Sequence, residues 1–408
     1  MQSGNATSKI ATIRPGEATN DIGLPPRGSP YFAEEHELLR AQVRRFVETE
    51  IKPHGLAWEE QGFVPREVLR RMGSLGFFGI RYPERYGGSD MDALATVVLA
   101  EELGRSTFSG VATTALVHSE MASIHLFRAG SEAQKDKWMP RIISGEIITA
   151  VAVTEPDAGS DVKSIRTFAR REGDSYVIDG AKMFITNGVH ADLYFVAAKT
   201  DRGGQPSRSI TMFIVEKGTP GFTVSRTLDK HGWRCSDTAE LHFDNCRIPA
   251  ENRLGDEGRG FYAIMQNFQN ERVTIGAVAM GEAQAAIDLT LDYVKTRKAF
   301  GQPLWQRETI RQRLAMLAAK VEAGRQLVYH AAWLATQQGV DATKEVSMVK
   351  AYCGELVNEV MYNCVQFHGG MGFMRESTIE RMSRDARVQN IGGGATEVML
   401  EEVAKRMV

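Results

Sequence analysis

The hydrophobic repeat of this chain changes period twice, and that change limits its possible folds more than any composition figure. From Glu34 onward, Leu39, Val43, Phe46 and Val47 fall on one helical face until Pro53 closes the run. Helix-like composition continues through 66–77, 92–104, 111–129 and 132–143, punctuated by Tyr86-Gly87-Gly88 and Pro140. Near Ile147 the pattern becomes short β-branched and aromatic runs between turn residues. Strands are predicted at 150–154, 175–179, 183–186, 193–199, 209–216, 223–227 and 239–243, with turns at Gly180, Asn187-Gly188, Gly203-Gly204 and Gly218. After Leu254 a long helical period returns at 258–296, 304–336 and 342–366. The expected fold is therefore α+β and multidomain. It comprises a flexible tail (1–33), an N-terminal α-helical domain (34–147), a middle antiparallel β-barrel or sandwich domain (148–255) and a C-terminal four-helix-bundle-like domain (256–408).

Charge and cysteine usage remove several function classes. With 49 basic against 51 acidic residues, the chain has no global field to attract nucleic acid or an anionic membrane. No apolar run approaches the roughly 18 residues of a membrane span, and no basic-then-apolar secretory pattern opens the sequence. The four cysteines, Cys235, Cys246, Cys353 and Cys364, are too scattered for a disulfide framework or a metal site, so no metal is expected and the thiols suit a reducing compartment. Pro15, Pro25, Pro26 and Pro30 among Gly, Ser and Asn read as a mobile tail. Glu17 and Asp21 argue against a transit peptide, which leaves the cytoplasm as the expected location and the mitochondrial matrix as the alternative.

Five segments carry candidate chemistry. In VAVTEPDAGSD (Val151 to Asp161), small residues permit close backbone approach to a bulky polar cofactor, and Thr154 and Ser160 offer hydroxyls. Glu271 lies on an otherwise apolar helical stripe with Ile264, Phe268, Ile275 and Val278. A carboxylate there loses hydration and its pKa rises, which suits a general base; a structural Glu paired with Arg272 is the competing reading. Arg297-Lys298-Ala299-Phe300-Gly301 places cations beside an aromatic ring, as a pyrophosphate and adenine require, or is a basic helix end. Gln366-Phe367-His368-Gly369-Gly370 interrupts a helix with glycines but lacks the strand-first context of a dinucleotide fingerprint. His368, with no second ligand type nearby, reads as structural by itself. Gly392-Gly393-Gly394 is a tight turn against a ligand or a plain loop.

Taken in order, VAVTEPDAGSD, KMFITNG (182–188), DTAELHFDNCRIP (237–249), LGDEGRGF (254–261), RKAFG, QFHGGMGF and RDARV (384–388) make residues 34–408 resemble the acyl-CoA dehydrogenases. The resemblance implies an FAD enzyme that oxidises an acyl-CoA thioester to its trans-2-enoyl form and passes electrons to an electron-transferring flavoprotein. One large subgroup carries the catalytic glutamate in the C-terminal loop, where this chain has Gly393. The long-chain and isovaleryl types carry it on a helix just before an arginine, which matches Glu271-Arg272. By the same resemblance Val151, Val153, Thr154, Gly159, Ser160, Phe184, Ile185 and Thr186 hold the flavin ring, with Ser160 also touching the thioester arm. Arg297, Phe300, Gln366, Phe367, His368, Gly369 and Gly370 hold the pyrophosphate and adenine, partly from a neighbouring subunit, which implies a homo-oligomer, most simply a tetramer. Thr396 and Glu397 complete the cofactor set. Tyr262, Gln269, Asn270, Arg272 and Gly394 line the substrate, and the Gly393 amide polarises the thioester carbonyl.

Three positions depart from the family pattern. Phe184 stands where many relatives have tryptophan and still covers the flavin face with an aromatic ring, whereas Glu308 replaces a glutamine near the adenine and Ala395 a threonine beside the flavin, and these two weaken individual FAD contacts. A flavin oxidase or monooxygenase of the same fold and a non-catalytic binding protein derived from it are the competing functions. A carboxylate returned to position 393 in a Glu271→Gly background is expected to restore part of the activity. A medium, long or branched acyl group is the expected substrate.

Overall fold

The structure, a computed structural model, describes residues 29–408 apart from Arg202 and Gln338. Most of the expected tail lies outside the described residues. Tyr31 and Phe32, which the sequence places in that tail, instead pack their rings on Tyr329.

The N-terminal helices are α1 (Glu34–Phe46), α2 (Gly55–Gln61), α3 (Arg66–Ser74), α4 (Ala93–Gly104), α5 (Ser109–Leu116), α6 (Ser123–Ala129) and α7 (Glu132–Ile143). Asp92 caps α4 by accepting from the amides of Leu94 and Ala95, and Ser131 caps α7. The run predicted as one helix over 111–129 is divided, because α5 passes into α6 through a wider π-helical turn, Val117–Ala122.

Eight strands follow: β1 (Thr149–Ala152), β2 (Phe168–Glu172), β3 (Ser175–Thr186), β4 (Leu193–Lys199), β5 (Ile210–Glu216), β6 (Phe222–Thr227), β7 (Thr238–Pro249) and β8 (Arg253–Leu254). They form one sheet in the order β6-β7-β3-β2-β4-β5-β8, with β1 joined to β4. The sheet is mixed rather than wholly antiparallel, since β1 and β2 both run parallel to β4. Some forty residues separate β1 from β4, enough for the crossover that parallel pairing needs. The strands predicted at 175–179 and 183–186 are one strand, bent by register shifts at 178–180 and 182–185. β2 escaped the sequence reading because its Arg170 and Arg171 both face solvent and break the apolar alternation.

The C-terminal part holds α8 (Gly260–Thr296), a short hairpin of β9 (Lys298–Ala299) and β10 (Gln302–Pro303), then α9 (Glu308–Thr336), α10 (Thr343–His368), α11 (Thr378–Ala386) and α12 (Thr396–Ala404). Its four-helix packing borrows a member from the N-terminal part: α4 packs on α8 and α9, and both of these pack on α10. α4 is buried on every face, which explains its largely apolar sequence and why its Glu101 and Glu102 need buried partners. Where α4 crosses α8, a Cβ at Gly281 would overlap the Glu101 carbonyl, so only glycine allows the helices this close.

A buried ion cluster locks this crossing. Arg325 Nε donates to Glu101 Oε1 at 2.6 Å, the Tyr329 hydroxyl donates to Glu101 Oε2 at 2.7 Å, and Arg44 Nη2 meets Glu102 at 2.8 Å. Burial opposes ionisation of Glu101, but Arg325 and Arg40 hold its carboxyl below the usual range. Glu101→Gln leaves two buried guanidinium groups short of charge and is expected to destabilise the fold by about 3 to 5 kcal/mol. Chemical denaturation at neutral pH measures this; a loss under about 1 kcal/mol contradicts the assigned role.

Candidate active site

Glu271 sits on α8 with only 7% of its surface exposed. Its neighbours on the helical stripe, Ile264 and Val278, are buried, and Phe268 and Ile275 are half-buried. Burial pushes the carboxyl up to about 8, against the opposing pull of the Arg272 charge and of a hydrogen bond from Asn267 Nδ2 at 2.9 Å. Arg272 does not form an ion pair with it; the guanidinium turns to the Gly393 carbonyl, with Nε at 3.5 Å. The structure therefore departs from the salt-bridged alternative and leaves a desolvated carboxylate with one hydrogen-bond donor among the described residues.

The glycine loop at 392–394 is held against this helix by cations. Arg272 meets Gly393 O, while Lys350 on α10 donates to Gly394 O at 2.8 Å and to Gln389 O at 2.6 Å. Gly393 has φ +68°, and a Cβ there would overlap Ile275 Cδ1. The positive φ favours glycine here, and a side chain at this position would have to push the end of Ile275 aside.

The two segments expected to hold a flavin ring lie side by side. Met183 N donates to Thr154 O at 2.9 Å, and Lys182 Nζ reaches Val153 O at 3.0 Å and Glu155 Oε1 at 2.8 Å. Despite the cost of burial, Lys182 and the amides of Arg166 and Thr167 keep the Glu155 carboxyl below its usual range. Phe184 occupies the bulge of β3 with φ +60°, and its ring is 65% exposed. A bulge of this kind re-aims one side chain out of the sheet. Ile185 is buried, Val151, Thr154 and Thr186 are half-buried, and Gly159 and Ser160 are exposed. Asn187, also at positive φ, ties the bend to α5 and to β1 through Nδ2 bonds to Thr114 O and Thr149 O.

A second cluster lines an open cleft of about 810 Å³ formed by Tyr293, Arg297, Gln366, Phe367, His368, Gly369 and Gly370, among others. Here the sequence-predicted pyrophosphate and adenine residues do come together. His368 is stacked on Tyr293 at 4.2 Å and bonded through Nδ1 to Cys364 O, so its ring is fixed as structure. Phe300 stands at the tip of the β9–β10 hairpin, 94% exposed, with Arg307 over its ring.

The remaining predicted residues divide by role. Tyr262 is exposed beside Arg259, and Gln269 Oε1 is buried without a partner. Asn270 is already engaged by Arg81 and by Glu120 O, so its amide holds helices together. Thr396 opens α12 with its hydroxyl buried and unpaired, while Glu397 faces solvent. Ala395 provides no side-chain cap for that helix, and Glu308 faces solvent at the start of α9. An exposed aromatic ring, orphaned buried polar atoms at Gln269 and Thr396, and a cleft carrying Arg297 fit a cofactor that combines a flat ring, hydroxyls and phosphates.

Sequence reasoning missed Glu155, Lys182, Asn187, Lys350, Glu120 and Asn267. One signal was present: Lys350 lies among Val346, Val349 and Cys353 in an apolar helix, and a lysine in such a place is buried only with partners. Among the described residues there is no group of His, Cys, Asp or Glu that could hold a metal ion. No described helix is long and apolar enough to cross a membrane.

Models of the N-terminal, middle and C-terminal domains of acyl-CoA dehydrogenase match residues 33–146, 150–246 and 258–408. The chain is 39% identical over 378 residues to the long-chain specific acyl-CoA dehydrogenase, mitochondrial, of Mus musculus, covering 92% of this chain and 87% of that protein. The acyl-CoA dehydrogenase structure from Geobacillus kaustophilus superposes with TM-score 0.89 at 40% identity, covering 93% of this chain and all of the other. A glutaryl-CoA dehydrogenase from Mycobacterium smegmatis, solved in complex with FADH2, superposes with TM-score 0.87 at 30% identity, covering 93% and 95%. Helical, β and helical parts in this order, each matched by its own domain model, make the chain an enzyme of the acyl-CoA dehydrogenase family.

Proposed function

We propose that the protein binds FAD and oxidises an acyl-CoA thioester to its trans-2-enoyl-CoA, with Glu271 removing the α-proton. The observation that carries this reading is the buried Glu271 carboxylate one residue from the arginine that holds the Gly393 loop. A carboxyl displaced to about 8 binds a proton far more readily than an ordinary glutamate, as abstraction from a weakly acidic carbon requires. The Gly393 amide is the donor for the thioester carbonyl, and the cations of Arg272 and Lys350 add positive potential where enolate charge develops. Bound FAD supplies the two-electron acceptor that takes the β-hydrogen as hydride. Val151, Val153, Thr154, Ser160 and the 184–186 bend would hold its ring, with the exposed Phe184 available to cover it.

Arg297 and Glu271 lie about 26 residues apart on one continuous helix, or roughly 39 Å along its axis. An extended dinucleotide is shorter than that. The cleft at Arg297 therefore serves the flavin site of a second copy, and the working state is a homo-oligomer, most simply a tetramer. An electron-transferring flavoprotein is the proposed acceptor, the acyl group is medium, long or branched, and the cytoplasm is the proposed location.

A panel of straight, branched and aromatic acyl-CoAs tests the reading by anaerobic flavin bleaching. The expected result is rapid bleaching by at least one acyl-CoA, with no oxygen uptake in air. Oxygen uptake on reduction would establish an oxidase or monooxygenase instead. Protein purified without yellow colour and unable to take up FAD would leave the binding-protein reading.

A further inference from the structure

We infer that Asn267 is a positioning residue for Glu271, orienting its carboxylate and favouring its ionised form by anchoring it to the π-helical turn Val117–Ala122. This rests on the reading of Glu271 as the base. Asn267 lies one helical turn before Glu271 on α8 and is 1% exposed. Its Nδ2 carries two hydrogens: one goes to Met121 O at 2.9 Å, the other to Glu271 Oε1 at 2.9 Å. The next α8 residue on this face, Asn270, donates to the adjacent carbonyl of the same turn, Glu120 O, at 3.0 Å. Two asparagines three residues apart thus dock the base-bearing helix onto consecutive carbonyls of a π-turn, an irregularity common at functional sites.

The Met121 carbonyl does more than anchor. It can only accept, so it fixes the Asn267 amide with its NH2 toward both partners and its oxygen away from Glu271. That oxygen has no partner and is buried, a cost the fold tolerates. Held this way, Asn267 stabilises the carboxylate and offers no acceptor to the protonated acid. Of the charged groups on the elements packed here, Arg272 is the one that acts on Glu271, while Arg128 on α6 interacts with Arg81 and Glu120 instead. Arg272 bears on Glu271 from the same helix and also meets Gly393 O; Arg81 and Glu120 meet each other and Asn270; Lys350 meets Gln389 O and Gly394 O.

The sign of the effect separates this role from simple packing. Removing the donor disfavours the anion and raises the Glu271 titration, whereas loosening that admits water relieves desolvation and lowers it. The experiment titrates the protonated-carboxyl C=O band of Glu271 in the FAD-loaded enzyme by infrared spectroscopy. The band is assigned by its loss in Glu271→Gln. In Asn267→Leu, of similar volume, and in Asn267→Ala, which crowds nothing, the band is expected to titrate about 1 pH unit higher than in the parent. An unmoved or lowered titration in the variants that fold overturns the inference. The readout does not depend on turnover. If Glu271→Gln keeps full flavin reduction by acyl-CoA, the base reading falls with this role, whereas an unmoved band with an inactive Glu271→Gln overturns only the role of Asn267.

Discussion

Glu271→Gln is expected to retain FAD and the fold while losing about 10²- to 10⁴-fold in the rate of flavin reduction by acyl-CoA, the usual contribution of a positioned general base. The substitution keeps the side chain's shape and its bond from Asn267 but removes the carboxylate beside the Gly393 loop that takes the proton. Folding is spared because a neutral amide avoids the burial cost that raises the Glu271 pKa. Stopped-flow reduction with the parent as reference measures the loss, and flavin absorbance with thermal melting checks the rest. A variant within threefold of the parent contradicts the assignment. In the parent, activity rises as pH climbs through the range near 8, where Glu271 gives up its proton, because only the ionised form accepts another. The same displacement makes the folded state the better proton binder between about 4.5 and 8, so this group's contribution to stability is greatest below 4.5 and falls as pH rises through 8.

Moving the carboxylate to the loop is expected to fail. The sequence suggested that Gly393→Glu in a Glu271→Gly background restores part of the activity, whereas the geometry around Gly393 leads to the opposite expectation. Any side chain at 393 meets Ile275 Cδ1 and must adopt φ +68°, a conformation that costs a non-glycine residue about 1 to 2 kcal/mol before the clash is counted. The loop cannot yield freely, because Arg272 and Lys350 grip its carbonyls. The double variant should therefore remain at or below about 1% of parent activity, within the loss expected from base removal alone. Adding Ile275→Ala makes room and should improve it. Recovery above a tenth of parent activity without that third change contradicts the steric account, as does an absence of any gain with it.

Much of the site was legible before folding. Glu271 stood out because a charge on an apolar stripe must be desolvated, and it is indeed buried. The segments at 151–160 and 184–186 were recognisable from small and hydroxyl residues after a β run, and they meet through Met183, Thr154 and Lys182. Roles that depend on partners were not legible. Asn270, expected beside the substrate, has its amide engaged by Arg81 and Glu120. His368 was assigned to the cofactor by resemblance, and its ring is fixed on Tyr293. Each partner lies 75 or more residues away in sequence, so no local pattern records the contact.

The chain itself determined the order of helical, β and helical parts, the lengths of α8, α9 and α10, and the carboxylate best placed to be a base. These follow from period and burial, which act over a few turns or one strand. Only the tertiary structure decided that α4 closes the C-terminal helix packing, that β1 runs parallel to β4, that Ile275 and two cations restrict the Gly393 loop, and that a π-turn carbonyl orients Asn267 toward Glu271. Such pairings depend on how distant segments pack, and a hydrogen bond or an overlap is settled within less than an ångström, a precision that periodicity does not carry.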